Sequence, residues 1–226
     1  MTQQHVLILY QVVAFLFAIS VHESAHAWTA WRCGDPTAYM LGRVTLNPIK
    51  HIDLFGTIIL PLILAIAGAP LIGWAKPTPV NTRNFTKLVK YDVLTSLAGP
   101  ASNMLVAGIS IVIIAVIAHT TTAGRAALFE PQAAGNSLFV PIVALLESML
   151  LINVLLAVFN LIPLPPLDGS HVIRHMLSGG ALAVYDNIGR FGILILFLIS
   201  WKTNILGAIF SPVLAFVYFV LATLAR

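Results

Sequence analysis

The sequence predicts an all-α polytopic membrane protein with five to six membrane segments and a small membrane-associated β-structure after the first helix. Three observations lead there. Of the 226 residues, 59% are hydrophobic and 9% charged, whereas a soluble domain has about a quarter of its residues charged. Apolar runs recur at 6–31, 56–72, 93–118, 138–162, 182–200 and 204–225, and most reach the roughly 20 residues that a spanning helix needs. Between the first and third runs, 39–46 (YMLGRVTL) and 76–81 (KPTPVN) read as short extended segments. A single membrane-embedded domain covers 1–226.

The elements follow in order. The first run lacks a basic leader and is too long for the apolar region of a cleavable signal, so it reads as a retained span. Seven of the twelve Lys and Arg residues (Arg32, Arg43, Lys50, Lys76, Arg83, Lys87 and Lys90) flank the 56–72 run on both sides. Basic flanks favour the cytoplasm. If both flanks lie there, the run enters and returns, broken at Pro61, Gly68, Pro70 and Gly73; a plain crossing is the alternative. The remaining runs then alternate: 97–118 outward, 138–160 inward, 182–200 outward and 205–225 inward, with the N-terminus outside. The net charge of +4 sits beside membrane segments, which fits positive-inside placement and argues against nucleic acid as a partner. The lone Cys33 excludes an internal disulfide framework and a thiolate zinc cluster.

The first run carries VHESAHAW at 21–28. On a helix His22 and His26 stand one turn apart on one face, so both imidazoles reach one ion. Glu23 lies about 100° round the helix, placed to touch a metal-bound water without being a ligand. Two His ligands beside a general base make a zinc-hydrolase arrangement. Ionisable groups inside a membrane segment are costly and mark function. Catalytic zinc takes three protein ligands. The third is expected in FNLIPLPPLDGSH, 159–171, where prolines end the fourth run and Asp168-Gly169 turns the chain. Asp168 is preferred there over its reading as an ordinary Asp-Gly turn. His171 and His175 form a rival i,i+4 pair, but lack the intervening glutamate and read as interfacial. Gly99, Asn103 and Ala107 form a small-residue stripe for close helix approach.

HESAH at 22–26, LAGPASN at 97–103 and NLIPLPPLDG at 160–169 together resemble the site-2 protease family of intramembrane zinc metalloproteases. That resemblance implies that His22, His26 and Asp168 bind one Zn2+ ion, that Glu23 is the base, and that Asn160 lies near the scissile carbonyl. LGRVTLNPIKHID and GWAKPTPVN look like the compact subgroup, with a membrane-associated β-structure and without PDZ or CBS domains.

The expected activity is hydrolysis of a peptide bond within or next to a transmembrane segment of a substrate protein. Zinc-activated water attacks, with Glu23 as base. A side-chain amide shares the oxyanion: Asn160 first, Asn103 second, with helix packing an equal reading for Asn103. The partners are then a transmembrane protein or peptide substrate and membrane lipid, at the cell membrane with the site toward the cytoplasm. An exposed strand edge at 39–46 or 76–81 is expected either to hold the unwound substrate or merely to cover the site. A zinc transporter and an inactive protease-like binding protein are the competing functions. A transporter has no use for a glutamate in base position, and the intact ligands and base oppose inactivity.

Overall fold

The computed structural model describes residues 3–60, 63, 73–135, 137–189 and 191–225. Two compact units emerge: Leu16–Ser102 in one, Met1–Phe15 with Asn103–Arg226 in the other. Two long helices, α1 (Gln3–Arg32) and α3 (Leu88–Thr120), run through the boundary.

In the first unit α1 ends at a left-handed glycine. Gly34 has φ +106, and a Cβ there would sit 3.2 Å from the Asn84 carbonyl oxygen, so only glycine turns the chain at this close approach. A single helical turn, α2 (Thr37–Met40), follows. Then come a 3₁₀ turn at Pro48–Lys50 capped by the Asn47 side chain, and a π-helical turn at Leu54–Ile59 capped by Asp53. After 73–81, a 3₁₀ turn at Thr82–Asn84, capped by Asn81, leads into α3.

The expected β-structure is corrected here: no strand occurs among the described residues. Segment 39–46 is the end of α2 and a turn through Gly42, at φ +66. Segment 76–81 is irregular, and its own residues explain why it joins no ladder. Pro77 and Pro79 have no N–H to donate. Three of the remaining four amides are engaged elsewhere: Lys76 N donates to His51 O (2.9 Å), Thr78 N to the Glu23 carboxylate (2.9 Å) and Asn81 N to the Asp35 carboxylate (2.7 Å). Side chains and one loop carbonyl have taken the place of a neighbouring strand. Most of the predicted 56–72 segment lies outside the described residues. Its two ends are joined: Trp74 N donates to Gly56 O at 3.1 Å, and Thr57 Oγ1 to Trp74 O at 2.7 Å. A Cβ on Gly56 would collide with the Trp74 indole.

The second unit is helical. Beyond α3 lie α4 (Thr122–Phe129), α5 (Phe139–Asn160), α6 (Gly169–Arg174), α7 (Gly179–Gly189), α8 (Gly192–Lys202) and α9 (Ile205–Leu224). Ala107 and Ile114 of α3, Leu150 and Val154 of α5, and Val217 and Leu221 of α9 form its buried core. One polar pair joins α3 to α5: Asn103 Nδ2 donates to Asn153 Oδ1 at 2.7 Å, both residues fully buried. The outward faces are equally apolar, with Leu105, Val112, Phe216 and Phe219 exposed, as a helix surface in lipid requires.

Among the described residues four helices are long and apolar enough to cross a membrane: His5–Arg32, Leu88–Thr120, Phe139–Asn160 and Ile205–Leu224. The single helix expected at 182–200 is broken into α7 and α8, which diverge by 75°; counted together they make a fifth span. Two glycines flank the break. A Cβ on Gly189 would lie 2.7 Å from Pro165 Cβ, and one on Gly192 would overlap the Pro165 carbonyl. The proline loop therefore packs against the break.

Candidate metal centre

α1 holds VHESAHAW as continuous helix, with His22 and His26 buried at 5% and 7% exposure. Their Nε2 atoms lie 3.1 Å apart and their rings meet edge to face. Two nitrogens bound tetrahedrally to one zinc at about 2.05 Å stand about 3.3 Å apart. The pair fits a shared zinc. His26 Nδ1 lies 2.7 Å from the Thr95 carbonyl oxygen. A carbonyl only accepts, so Nδ1 carries the proton and Nε2 keeps its lone pair for a metal.

α3 makes this approach possible at Gly99. A Cβ there would fall 2.7 Å from His22 Nε2 and closer still to His26 Nε2. Glycine is required at this position for lack of bulk, since its backbone is ordinary helix. The next residue, Pro100, lies inside α3 and gives the Ser96 carbonyl no i+4 donor. The Thr95 carbonyl that receives His26 is one residue earlier in α3.

Glu23 is half-buried and bound from outside the helix. Its Oε2 accepts the Thr78 backbone N–H at 2.9 Å, and its own carbonyl accepts the Thr78 hydroxyl at 3.0 Å. The far end of the same segment is held by Asp35, buried just beyond α1. Asp35 accepts from Asn81 N (2.7 Å), Asn84 Nδ2 (2.7 Å) and both N and Oγ1 of Thr37. Burial pushes the Asp35 carboxyl up, but these bonds outweigh it and hold the group below the usual carboxylate range.

The other predicted site residues belong to the second unit. Asp168 is half-buried at the start of α6, directly after the proline loop 161–167. A Cβ on Gly169 would strike the Leu161 carbonyl, so the Asp-Gly turn needs its glycine because the loop folds back on the end of α5. Asn160, the last residue of α5, donates Nδ2 to Leu156 O at 2.9 Å. Asn103 occupies the helix-pairing role through Asn153. His171 lies in α6 and His175 closes it.

The sequence singled out the His pair and Glu23 but not the groups bonded to them. The Thr95 carbonyl carries no residue-type signal. Gly99 appeared only as part of a packing stripe. Thr78 passed unnoticed inside the extended reading of KPTPVN, although its two flanking prolines are a sign that a lone amide is presented.

Residues 10–199 match the model of peptidase family M50. The chain belongs to that family. It is 37% identical over 205 residues to "Putative zinc metalloprotease YwhC" of Bacillus subtilis, covering 91% of this chain and 85% of that one. It is also 30% and 29% identical to "Putative zinc metalloprotease Rip2" of Mycolicibacterium smegmatis and of Mycobacterium tuberculosis H37Rv. Those matches cover 74% and 83% of this chain but 57% and 66% of the relatives. No solved structure matches the chain. Family membership makes this a zinc metalloendopeptidase with several membrane-type helices.

Proposed function

We propose that this metallopeptidase works inside the membrane, cutting a peptide bond within or next to a transmembrane segment of another membrane protein. The observation that carries this reading is the position of His22, Glu23 and His26 within an apolar spanning-length helix, before its end at Arg32. At 1.5 Å per residue His22 lies about 15 Å and His26 about 9 Å from that end. One zinc ion would be held by His22, His26 and Asp168, the last being the carboxylate that completes a three-ligand set. Zinc supplies a Lewis acid that acidifies water and polarises a peptide carbonyl. Glu23 takes the proton of the attacking water and returns it to the leaving amine. Asn160 has one amide proton on Leu156 O, and its second is assigned to the developing oxyanion. Substrate transmembrane helices reach the site through lipid and unwind locally.

Glu23→Gln is expected to keep its zinc and lose activity by about a thousandfold, within the range for removing a general base. Single-span proteins should then accumulate in membranes carrying the variant relative to wild type, as read by comparative membrane proteomics. Asp168→Ala should lower zinc stoichiometry after mild chelation, while His171→Ala should not. Zinc loss in Glu23→Gln, or its retention in Asp168→Ala, overturns the role assignments.

The site is assigned to the cytoplasmic side, with the 56–72 segment entering and returning there. Single cysteines at 50 and 84 in a Cys33→Ser background should both label from that side only. Labelling from opposite sides would make the segment a crossing.

A further inference from the structure

The base in a zinc peptidase must be aimed as well as present, and a glutamate side chain turns about three bonds. In this chain one of its oxygens is already engaged by a segment 55 residues further along. We propose that Thr78 is a positioning residue for Glu23, and that the Pro77-Thr78-Pro79 segment exists to present one backbone N–H to the base. This rests on the assignment of Glu23 as general base.

Three features of the segment support it. The prolines fix φ on either side of Thr78, and Pro79 confines Thr78 itself to extended conformations. The only N–H that 77–79 can offer is therefore that of Thr78, held in a stiff stretch. The Thr78 hydroxyl makes a second bond to α1, to the carbonyl of Glu23 itself, so backbone and side chain of one residue grip backbone and side chain of the other. Three residues on, Asn81 N is held by Asp35, whose carboxylate also accepts from Thr37 and Asn84. The segment is thus fastened to α1 at residue 23 and to the turn beyond α1 at residue 35.

The chemical consequence is a division of labour between the two carboxylate oxygens. Oε2 accepts the Thr78 N–H, and proton transfer from water falls to Oε1. Fixing one oxygen fixes the direction of the other, since both lie in one plane. Pro77 and Pro79 lack N–H groups, the amides of Lys76 and Asn81 are used by His51 O and the Asp35 carboxylate, and that of Thr78 is used by the proposed base.

The experiment uses the full-length protein in detergent, with fluorescein-labelled casein as an unfolded polypeptide probe. Thr78→Pro removes the N–H while keeping an extended backbone. It should lower kcat by roughly ten- to hundredfold, the scale of misplacing a catalytic group by about an ångström, with KM within about twofold of wild type. Zinc stoichiometry should stay at the wild-type value. Thr78→Val keeps the N–H and shape but loses the hydroxyl, and should lower kcat several-fold, by roughly three- to tenfold; Thr78→Ser should restore it to within about twofold of wild type. Wild-type kcat in a zinc-loaded Thr78→Pro overturns the proposal. If Thr78→Pro fails to fold with zinc, the Val and Ser pair decides, and wild-type kcat in Thr78→Val overturns it. Failure of the underlying reading looks different: casein cleavage that survives Glu23→Gln, or its absence in wild type, removes the general-base assignment itself.

Discussion

Two regions of this molecule solve the problem of burial in opposite ways. Across Leu16–Ser102 the buried residues include His22, His26, Asp35, Arg43, His51, Asp92, Thr95 and Ser96. This unit is held by side-chain bonds across long stretches of chain: 69 residues from His26 to Thr95, 55 from Glu23 to Thr78, 49 from Asp35 to Asn84 and 46 from Asp35 to Asn81. Across Asn103–Arg226 the core is Ala107, Ile114, Leu150, Val154, Val217 and Leu221, and Asn103 bonds Asn153 between two of its helices. Where lipid surrounds helices there is little hydrophobic drive between them, and close packing with a few polar contacts holds them together. The first region has irregular backbone beside Glu23, and each polar group freed from regular structure then requires a partner. The second region is mostly packed helix, and its irregular backbone includes the short proline loop before Asp168. Glycine shows the same contrast: Gly99 is pressed against two imidazoles, while Gly108, nine residues along the same helix, has nothing within 4 Å of where its Cβ would be.

That contrast breaks first at Gly99. Gly99→Ala should cost the protein its zinc, with affinity down about a hundredfold or more, the upper end for disturbing groups around a metal site. Elemental analysis after dialysis reads it directly; a zinc-replete Gly99→Ala would mean that the histidines can move aside.

A smaller effect is expected at Asp35. Its folded carboxyl lies below the ordinary range, so its contribution to stability is complete above the unfolded value and disappears as pH falls through the folded one. The wild-type protein should melt above Asp35→Asn near neutrality, and the gap should close as pH drops from about 5 toward 3. Both proteins keep the same histidines, so the difference isolates Asp35. A gap that widens in acid would show that the bonds to Thr37, Asn81 and Asn84 do not favour the charged form.

The smallest change is expected at Gly108. Gly108→Ala should leave zinc content and activity at wild-type values and the melting temperature almost unchanged. A loss there would show that the second region is as tightly specified as the first.

What the sequence by itself determined was whatever depends on neighbours within one helical turn or on the length of an apolar run. His22 and His26 share a face because 3.6 residues make a turn. Four of the runs became spanning-length helices because little else satisfies a backbone in hydrocarbon. The stop of α5 at Asn160 was legible in the prolines that follow. Tertiary structure alone decided the rest. Segment 76–81 had the composition of a strand, but composition does not say which groups will stand beside it; Glu23, Asp35 and His51 accepted its amides instead. The run at 182–200 read as one helix because apolar periodicity does not register the proline loop that packs on Gly189 and Gly192. The proton on His26 is placed by the Thr95 carbonyl, an atom every residue possesses. Backbone groups carry no letter in the sequence, so the bonds from Thr95 to His26 and from Thr78 to Glu23 became visible only once the chain had folded.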